Sequence, residues 1–493
     1  ANPPWDVILP YRAEFFRDYI PDYGRLDTRE AMKAEKTLLA RDPAVRGIWQ
    51  AYRKRVTTLN AYFLKTYASL QPRRGDGTFL RGHNNIYKVF LEKIYLLLAK
   101  DGLCGIIVPD NLNIDSACTG LRRLLLQKTT IRGLVTFVNR RKLFDIHGQY
   151  KFDVLTFMKR RPSPDAAFDA GFSWYDPVWL DGRPSAAHMA EHPLNAGRYH
   201  RRFRYPVAAI FRNDPDTLTI WEFGSAGGMK VLGKLKSFPG IGDPEEELHI
   251  LTSTEFNMTT DSDLFRKGGN GWPLFQGRTI HHYNASFGPV ERRVDPVEGE
   301  KRLARRRRSS PDELPDRNYR LAWRVIAQAT DSRSLIGTVI PPRVFCGNAL
   351  NAAEIIYKGK MVSDPELLSG LNVILSSLCA DFYVRLRSAK NVSAFIVRSV
   401  PVPRDIPAIR KLGRLALPLY LGAAFAAFRG SVPEMPDPEE RIRRIALLDA
   451  MTARLYGLGS EEYDLVLDSF PLLGEVVKRL YREAFGREEE NGF

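Results

Sequence analysis

The sequence predicts an α/β protein. Its first part is predicted to be a partial doubly wound, Rossmann-like sheet, followed by a mixed α/β region and by C-terminal helices. Between residues 85 and 158, short apolar segments alternate with amphipathic helical segments, as the strand–helix units of a parallel sheet do. The 493 residues are 44% hydrophobic and 11% aromatic, which suffices for the cores of two to four domains.

The first elements are helical. Residues 11–70 are rich in charge and aromatic side chains at helical spacing, which predicts two or three helices. A further helix is predicted from Asn85, a favourable N-cap residue, because apolar residues recur at positions 87, 90, 91, 94, 97 and 98. Asp101 and Gly102 are expected to end this helix.

Strands are predicted at Cys104–Val108, Ile131–Val138 and Phe152–Met158, with a helix at Leu121–Lys128 between the first two. In open α/β sheets, ligands bind outside the carboxyl ends of the strands. The segments 109–111 and 139–144, which follow two of these strands, are therefore expected to line a ligand site.

The chain is predicted to divide into four parts. These are a first domain over 1–164, which ends at a Pro-Ser-Pro sequence, a connector over 165–240, a mixed α/β domain over 241–410, and a helical region over 411–493. The basic run Lys301–Arg308 is interpreted as a mobile loop. It either contacts phosphate or is a solvated surface insert.

Charge and cysteine content indicate which partner and which cellular compartment to expect. The formal net charge is +16, which favours a polyanionic partner, and nucleic acid fits better than a membrane. The longest largely apolar stretch, Leu415–Phe428, is too short to span a bilayer as a helix. Four cysteines without metal or disulfide spacing favour a reducing cytoplasm, and no metal is expected. The adjacent pair His281-His282 does not change this, because neighbouring strand residues face opposite sides.

The tetrapeptide Asn2-Pro3-Pro4-Trp5 carries the chemistry. An exocyclic amine of a nucleobase is a poor nucleophile, because its lone pair is delocalised into the ring. The Asn2 side-chain oxygen and the Pro3 carbonyl would accept both N–H groups and turn the lone pair toward an electrophile. Proline makes the turn rigid, and rigid acceptors need no reorganisation during reaction. Trp5 would stack on a base that has been flipped out of the duplex.

Several segments together resemble the catalytic domain of adenine-specific DNA methyltransferases, most of all the single-chain restriction–modification methylases of type IIG. Besides the first tetrapeptide, the stretches 85–92, 102–109, 137–144 and 151–155 carry this resemblance. It continues through 273–281, 319–324, 331–336, 398–403 and 448–458. It therefore covers most of the chain.

The resemblance implies an enzyme that transfers a methyl group from S-adenosyl-L-methionine to adenine N6 in a specific sequence of double-stranded DNA. It assigns 1–164 to the C-terminal half of the catalytic domain and 241–410 to a DNA target-recognition domain. Asn2, Pro3, Pro4 and Trp5 match the catalytic motif, and Phe144 is favoured over Phe152 as the second aromatic that faces the base. The arginines expected to contact DNA in the recognition domain are Arg278, Arg320, Arg324, Arg333 and Arg343.

Two alternatives stay open. In this family a glycine-rich cofactor loop precedes the catalytic motif, and a nuclease domain lies further toward the N-terminus. We therefore expect this chain to be a fragment that lacks the N-terminal half of the methyltransferase. It would then be either part of an enzyme or a non-enzymatic DNA-binding fragment. The same amine chemistry also suits a cytosine-N4 methyltransferase, although Asn2 favours adenine.

Overall fold

The computed structural model describes residues 1–73, 77, 79–80, 82–180, 202–308, 314–326, 331–387 and 391–490. The chain forms two compact units, Ala1–Ala226 and Gly227–Phe493. The predicted four-part division stays a prediction.

The first unit combines helices with one sheet. Its helices are α1 Arg12–Arg17, α2 Thr28–Arg41, α3 Pro43–Thr66, α4 Ile86–Leu97, α5 Asn111–Ile114, α6 Thr119–Lys128 and α7 Val207–Asn213. Its strands are β1 Leu103–Pro109, β2 Thr130–Val138, β3 Lys151–Met158, β4 Ala167–Trp174 and β5 Phe203–Pro206. The predicted helices and strands between residues 11 and 158 are present, with ends that differ by a few residues. Two strands, β4 and β5, come from the segment for which the sequence predicts a connector.

The strand directions correct the predicted parallel sheet. Among the described residues the order is β1-β3-β2-β4-β5, and only β2 and β4 pair in parallel. Strand β3 lies between β1 and β2 and runs antiparallel to both. The connection between β2 and β3 holds a single 3₁₀ turn and no crossover helix. A chain without such a crossover returns antiparallel.

One face of this sheet carries an aromatic core. Val135, Phe137, Phe152 and Trp174 form a buried cluster, and Trp5 is among the partly buried residues packed against it. A separate cluster joins α1, α2 and the first half of α3. A third joins the second half of α3 to α4.

The second unit contains two sheets and a set of helices. Its strands are β6 Leu248–Ser253, β7 Phe265–Arg266, β8 Trp272–Phe275, β9 Arg293–Val294, β10 Arg320–Arg324, β11 Gly337–Ile340, β12 Phe345–Cys346, β13 Leu350–Tyr357 and β14 Lys360–Met361. Its helices are α8 Ala226–Leu235, α9 Pro296–Arg307, α10 Pro365–Ser376, α11 Leu378–Arg387, α12 Ala394–Arg398, α13 Ile406–Ala416, α14 Ala426–Arg429, α15 Pro438–Leu455, α16 Ser460–Asp468 and α17 Glu475–Glu490.

The strand pairings define two sheets in this unit. Within the described residues, β11-β10-β13-β14 form one sheet with β6 paired to β13, and all its pairs are antiparallel. The other has the order β12-β8-β9-β7. Helices α10 and α13 approach so closely that a Cβ on Gly413 would lie 1.7 Å from the carbonyl oxygen of Glu366. Glycine is required there by that contact.

The basic run at 301–308 is mostly helix, which corrects the predicted mobile loop. It forms the end of α9, and three of its five arginines bind carboxylates of the same unit. Arg302 and Arg306 both donate to Asp261, at 2.6 Å. Arg307 pairs with Glu354. These arginines therefore hold α9 against its own unit.

Among the described residues no single helix is long and apolar enough to cross a membrane, although the bent pair α10–α11 meets the length and composition criteria when its two helices are counted together.

Candidate active site

The Asn2–Trp5 segment lies at the carboxyl end of β1. The Ala1 ammonium donates to the Gly105 carbonyl at 2.7 Å, and the Ile107 amide donates to the Ala1 carbonyl at 2.8 Å. This is the hydrogen-bond pattern of a parallel neighbour, so the chain leaves Ala1 in the direction of β1. The tetrapeptide is thus placed at the edge where α/β sheets bind their ligands.

The four motif residues differ in their exposure to solvent. Pro3 is buried, Trp5 is partly buried, and Asn2 and Pro4 are exposed. Within the part of the chain that the structure describes, neither the Asn2 amide nor the Pro3 carbonyl has a hydrogen-bond partner. Neither acceptor is therefore taken up by another group of the described chain.

A side chain from α4 fixes the end of the motif. Asn85, expected to cap α4, makes no capping bond with its side chain. Its amide instead donates to the Trp5 carbonyl at 3.1 Å. The backbone reinforces this link, because Val7 and Asn85 form an antiparallel bridge and the Ile86 amide donates to the Asp6 carbonyl at 2.9 Å.

Trp5 contacts both aromatic residues considered from the sequence. Its ring centroid lies 5.6 Å from that of Phe144, at an interplanar angle of 63°, and 6.2 Å from that of Phe152. Phe152 is buried and stacks on Phe137 at 5.5 Å, whereas Phe144 is partly exposed. Phe144 is thus the ring that a ligand can reach, and Phe152 supports it from the core.

The loop that carries Phe144 is organised by Asn139, which the sequence placed near the site without a role. The buried Asn139 amide nitrogen donates to the carbonyls of Phe144 and Ile146, at 2.9 and 3.0 Å. Its side-chain oxygen accepts from the Phe144 amide at 3.1 Å. An asparagine directly after a strand is the only sequence signal for this clamp.

Asp153 lies on the face of β3 opposite to the aromatic cluster, because successive strand residues point to opposite faces and Phe152 belongs to that cluster. Burial raises the pKa of Asp153 well above its usual value, and the neighbouring Asp110 raises it further. Thr136 donates to Asp153 at 2.5 Å. Burial raises the pKa of Asp110 to about 7, with opposing contributions from Lys151 and Glu222. The site therefore has two carboxyl groups that resist ionisation.

Two of the five arginines predicted to contact DNA are buried and serve the second unit itself. Arg320 pairs with Glu255, and both side chains are almost fully buried. Arg333 donates to Asp381 at 2.8 Å and is 9% exposed. Neither guanidinium can reach a base, because each is held inside the unit by a carboxylate.

The other three are more accessible. Arg278 is exposed and pairs with Glu291. Arg324 is partly exposed, donates to the Ile280 carbonyl at 2.7 Å, and lies 5.7 Å from the centre of the Phe287 ring. Arg343 is exposed and adopts a left-handed backbone with φ of 64°.

Comparison with known proteins gives one family match. Residues 56–144 match the family model described as Eco57I restriction-modification methylase. The match spans α4, β1, β2 and the loop up to Phe144. It confirms, for this segment, the resemblance to restriction–modification methylases. No curated protein matches the sequence of the chain.

Two solved structures are similar over much of the chain. The type IIL restriction-modification enzyme MmeI, in complex with DNA, is 11% identical, with a TM-score of 0.41 over 82% of this chain and 53% of its own. The type IIG restriction endonuclease BpuSI is 13% identical, with a TM-score of 0.30 over 82% of this chain and 50% of its own. TM-scores below 0.5 do not establish a shared fold. The chain spans about half the length of both structures.

Proposed function

We propose that this chain is part of a site-specific DNA adenine-N6 methyltransferase of a restriction–modification or phage-defence system. One observation carries the proposal. The Asn2–Trp5 segment is held at the carboxyl end of β1, neither of its two acceptors is taken up by another described group, and Trp5 is in ring contact with Phe144. The family match over 56–144 supports it.

The acceptor side of the reaction follows from these residues. The Asn2 side-chain oxygen and the Pro3 carbonyl accept the two amine hydrogens of a flipped adenine. The lone pair on nitrogen then points away from both acceptors, toward the methyl donor. Because Asn85 and the Val7 bridge hold the motif before the base arrives, little reorganisation is needed at the moment of transfer.

The aromatic pair gives the flipped base its stacking surface. Trp5 and Phe144 touch edge to face, so a base cannot lie between them until Phe144 moves aside. Phe152 stays in place because it is buried against Phe137. We therefore assign Trp5 as the fixed wall of the base pocket and Phe144 as its movable wall.

S-adenosyl-L-methionine is the cofactor that this chemistry calls for, and when bound it supplies an electrophilic methyl carbon. The turn from β1 to α5, Pro109 to Asn111, contains no glycine, and we assign no residue of this chain to the cofactor. The chemistry assigned to this chain is therefore confined to binding and orienting the base.

The remaining assignments belong to the same proposal. Residues 241–410 act as the target-recognition domain for double-stranded DNA, with Arg278, Arg324 and Arg343 as contact residues. The cytoplasm is the expected compartment.

Methyl transfer tests the proposal directly. The 493-residue chain, and the protein translated from the whole reading frame that encodes it, are incubated with duplex DNA and methyl-labelled S-adenosyl-L-methionine. We expect label in adenine N6, and Asn2→Ala should lower the transfer rate about 100-fold or more while sparing DNA binding. Gln127→Ala is the matched control, because Gln127 also has an exposed amide side chain but lies near the end of α6, before the amino-terminal end of β2.

The outcomes separate the alternatives. Label in cytosine N4 would support the cytosine enzyme. DNA binding without transfer by the longer protein would leave a binding fragment. Full activity of the Asn2→Ala protein would remove the assignment of the active site.

A further inference from the structure

Helix α3 is strongly basic. Its 24 residues include Arg46, Arg53, Lys54, Arg55 and Lys65 and contain no aspartate or glutamate. All five side chains are exposed, and none of them forms an ion pair with another described residue. This distinguishes α3 from α9, in which three of four arginines bind carboxylates of their own unit.

The cations lie away from the side that packs. Val45 and Trp49 belong to one core cluster, and Val56 and Phe63 pack against another. At 3.6 residues per turn, Lys54 and Lys65 lie on the opposite side of the helix. Other exposed residues on that side are Gly47, Gln50, Ala51, Thr58 and Ala61, and four of these five are small. A polyanion can therefore approach the helix backbone closely.

The flanks of this face extend the positive charge. Arg46 and Arg53 are seven residues apart and lie along one flank, and Arg55 lies on the other. From Arg46 to Lys65 the helix rises about 28 Å. Duplex DNA carries one phosphate charge for about every 1.7 Å of its axis, so this length corresponds to about eight base pairs.

The position of α3 links it to the candidate active site. The described residues between 8 and 84 lie outside the sheet, and the bridge between Val7 and Asn85 joins the two ends of this part of the chain directly after the Asn2–Trp5 segment. Within it, the Asn84 amide donates to the Asn60 side chain of α3 at 2.9 Å. The next residue, Asn85, binds the Trp5 carbonyl. The second half of α3 is therefore anchored beside the proposed base pocket.

We propose that the outward face of α3 binds the phosphate backbone of duplex DNA next to the flipped base, in addition to contacts made by the recognition domain. This deepens the proposed function and rests on it for the identity of the partner. A membrane surface fits less well, because a helix that lies in a membrane interface inserts its apolar face. The main apolar face of α3 is packed inside the protein, and its exposed apolar residues Ile48, Leu59 and Tyr62 lie on the flank that carries Arg55.

The test compares two charge variants of the 493-residue chain. In the first, Arg46, Arg53, Lys54 and Lys65 are changed to glutamine. In the matched control, the exposed cations Lys93, Lys100, Lys128 and Arg132 of the same unit are changed to glutamine. Three of these control residues flank the amino-terminal ends of β1 and β2, opposite the candidate site. Both variants lose four positive charges.

Binding to a 30-base-pair duplex is measured by fluorescence anisotropy at several salt concentrations, after circular dichroism has shown that both variants are folded. Loss of four phosphate contacts should make the negative slope of log K against log salt shallower by about 3.6 in the α3 variant, about 0.9 for each contact. The control variant should keep the slope of the parent chain.

Equal slopes in the two variants, or an α3 variant that binds like the parent, would overturn the proposal. So would a loss of binding to phosphatidylserine vesicles while DNA binding is kept. Failure of the proposed function gives a different result. An absence of methyl transfer, with DNA binding that still depends on α3, would remove the enzyme and keep this surface.

Discussion

The clamp formed by Asn139 offers the sharpest test of the site. Asn139→Ala removes three hydrogen bonds, two from the amide nitrogen to the loop carbonyls and one from the Phe144 amide to the side-chain oxygen. Each buried hydrogen bond contributes about 1 kcal/mol net. We therefore expect a loss of about 3 kcal/mol, or about a 100-fold larger population of the open loop.

Two measurements report this loss. Urea denaturation gives the free energy of unfolding, and hydrogen exchange with mass spectrometry gives the protection of the Phe144 amide. The matched control is Asn113→Ala. Asn113 is also fully buried, but it makes fewer contacts than Asn139: its amide lies 3.5 Å from the Thr136 hydroxyl, and its side chain also contacts Asp153. Because both substitutions remove the same atoms from a buried position, the difference between them reports the hydrogen bonds of the clamp.

We expect Asn139→Ala to exceed Asn113→Ala by about 2 kcal/mol and to speed exchange in the 139–148 loop. Equal losses of stability would show that cavity formation dominates at both positions. Unchanged exchange at Phe144 would show that Asn139 does not fix the aromatic loop. Either result would refute the reasoning.

Further predictions concern the buried charges. Burial raises the pKa of Asp110 from 3.8 to about 7. The stabilisation from its protonated form is therefore fully present below about pH 4 and is lost as the pH rises through 7. In the Asp110→Asn protein, the free energy of unfolding should fall less steeply between pH 4 and 8, by a few kcal/mol at most. Arg320→Ala should cost about 3 to 5 kcal/mol in urea denaturation, because it leaves Glu255 buried without its partner. Arg278→Ala should cost about 1 kcal/mol or less, because its pair with Glu291 is exposed, and it should weaken DNA binding. Parent-like DNA affinity would remove Arg278 from the proposed contact set.

Much of the local structure followed from the sequence alone. The helix at Ile86–Leu97 and the strands at Leu103–Pro109 and Lys151–Met158 lie close to their predicted positions. Their apolar spacing is a property of neighbouring residues. The Asn-Pro-Pro-Trp motif likewise combines acceptors, rigidity and an aromatic ring within four residues, so the base-orienting role that we propose for it could be inferred without a fold.

Only the tertiary structure decided what each side chain contacts over long distances. The sequence assigned Asn85 to a helix cap, but its partner lies 80 residues away. It assigned Arg320 to DNA, but Glu255, 65 residues away, binds it in the core. It predicted parallel strands, but β3 turned back between β1 and β2. The spacing of apolar residues shows which face of a helix or strand is buried, but these contacts depend on how elements distant in the chain pack together. An asparagine or arginine side chain has the same hydrogen-bonding groups and charge whether its partner is the predicted one or the one found in the structure.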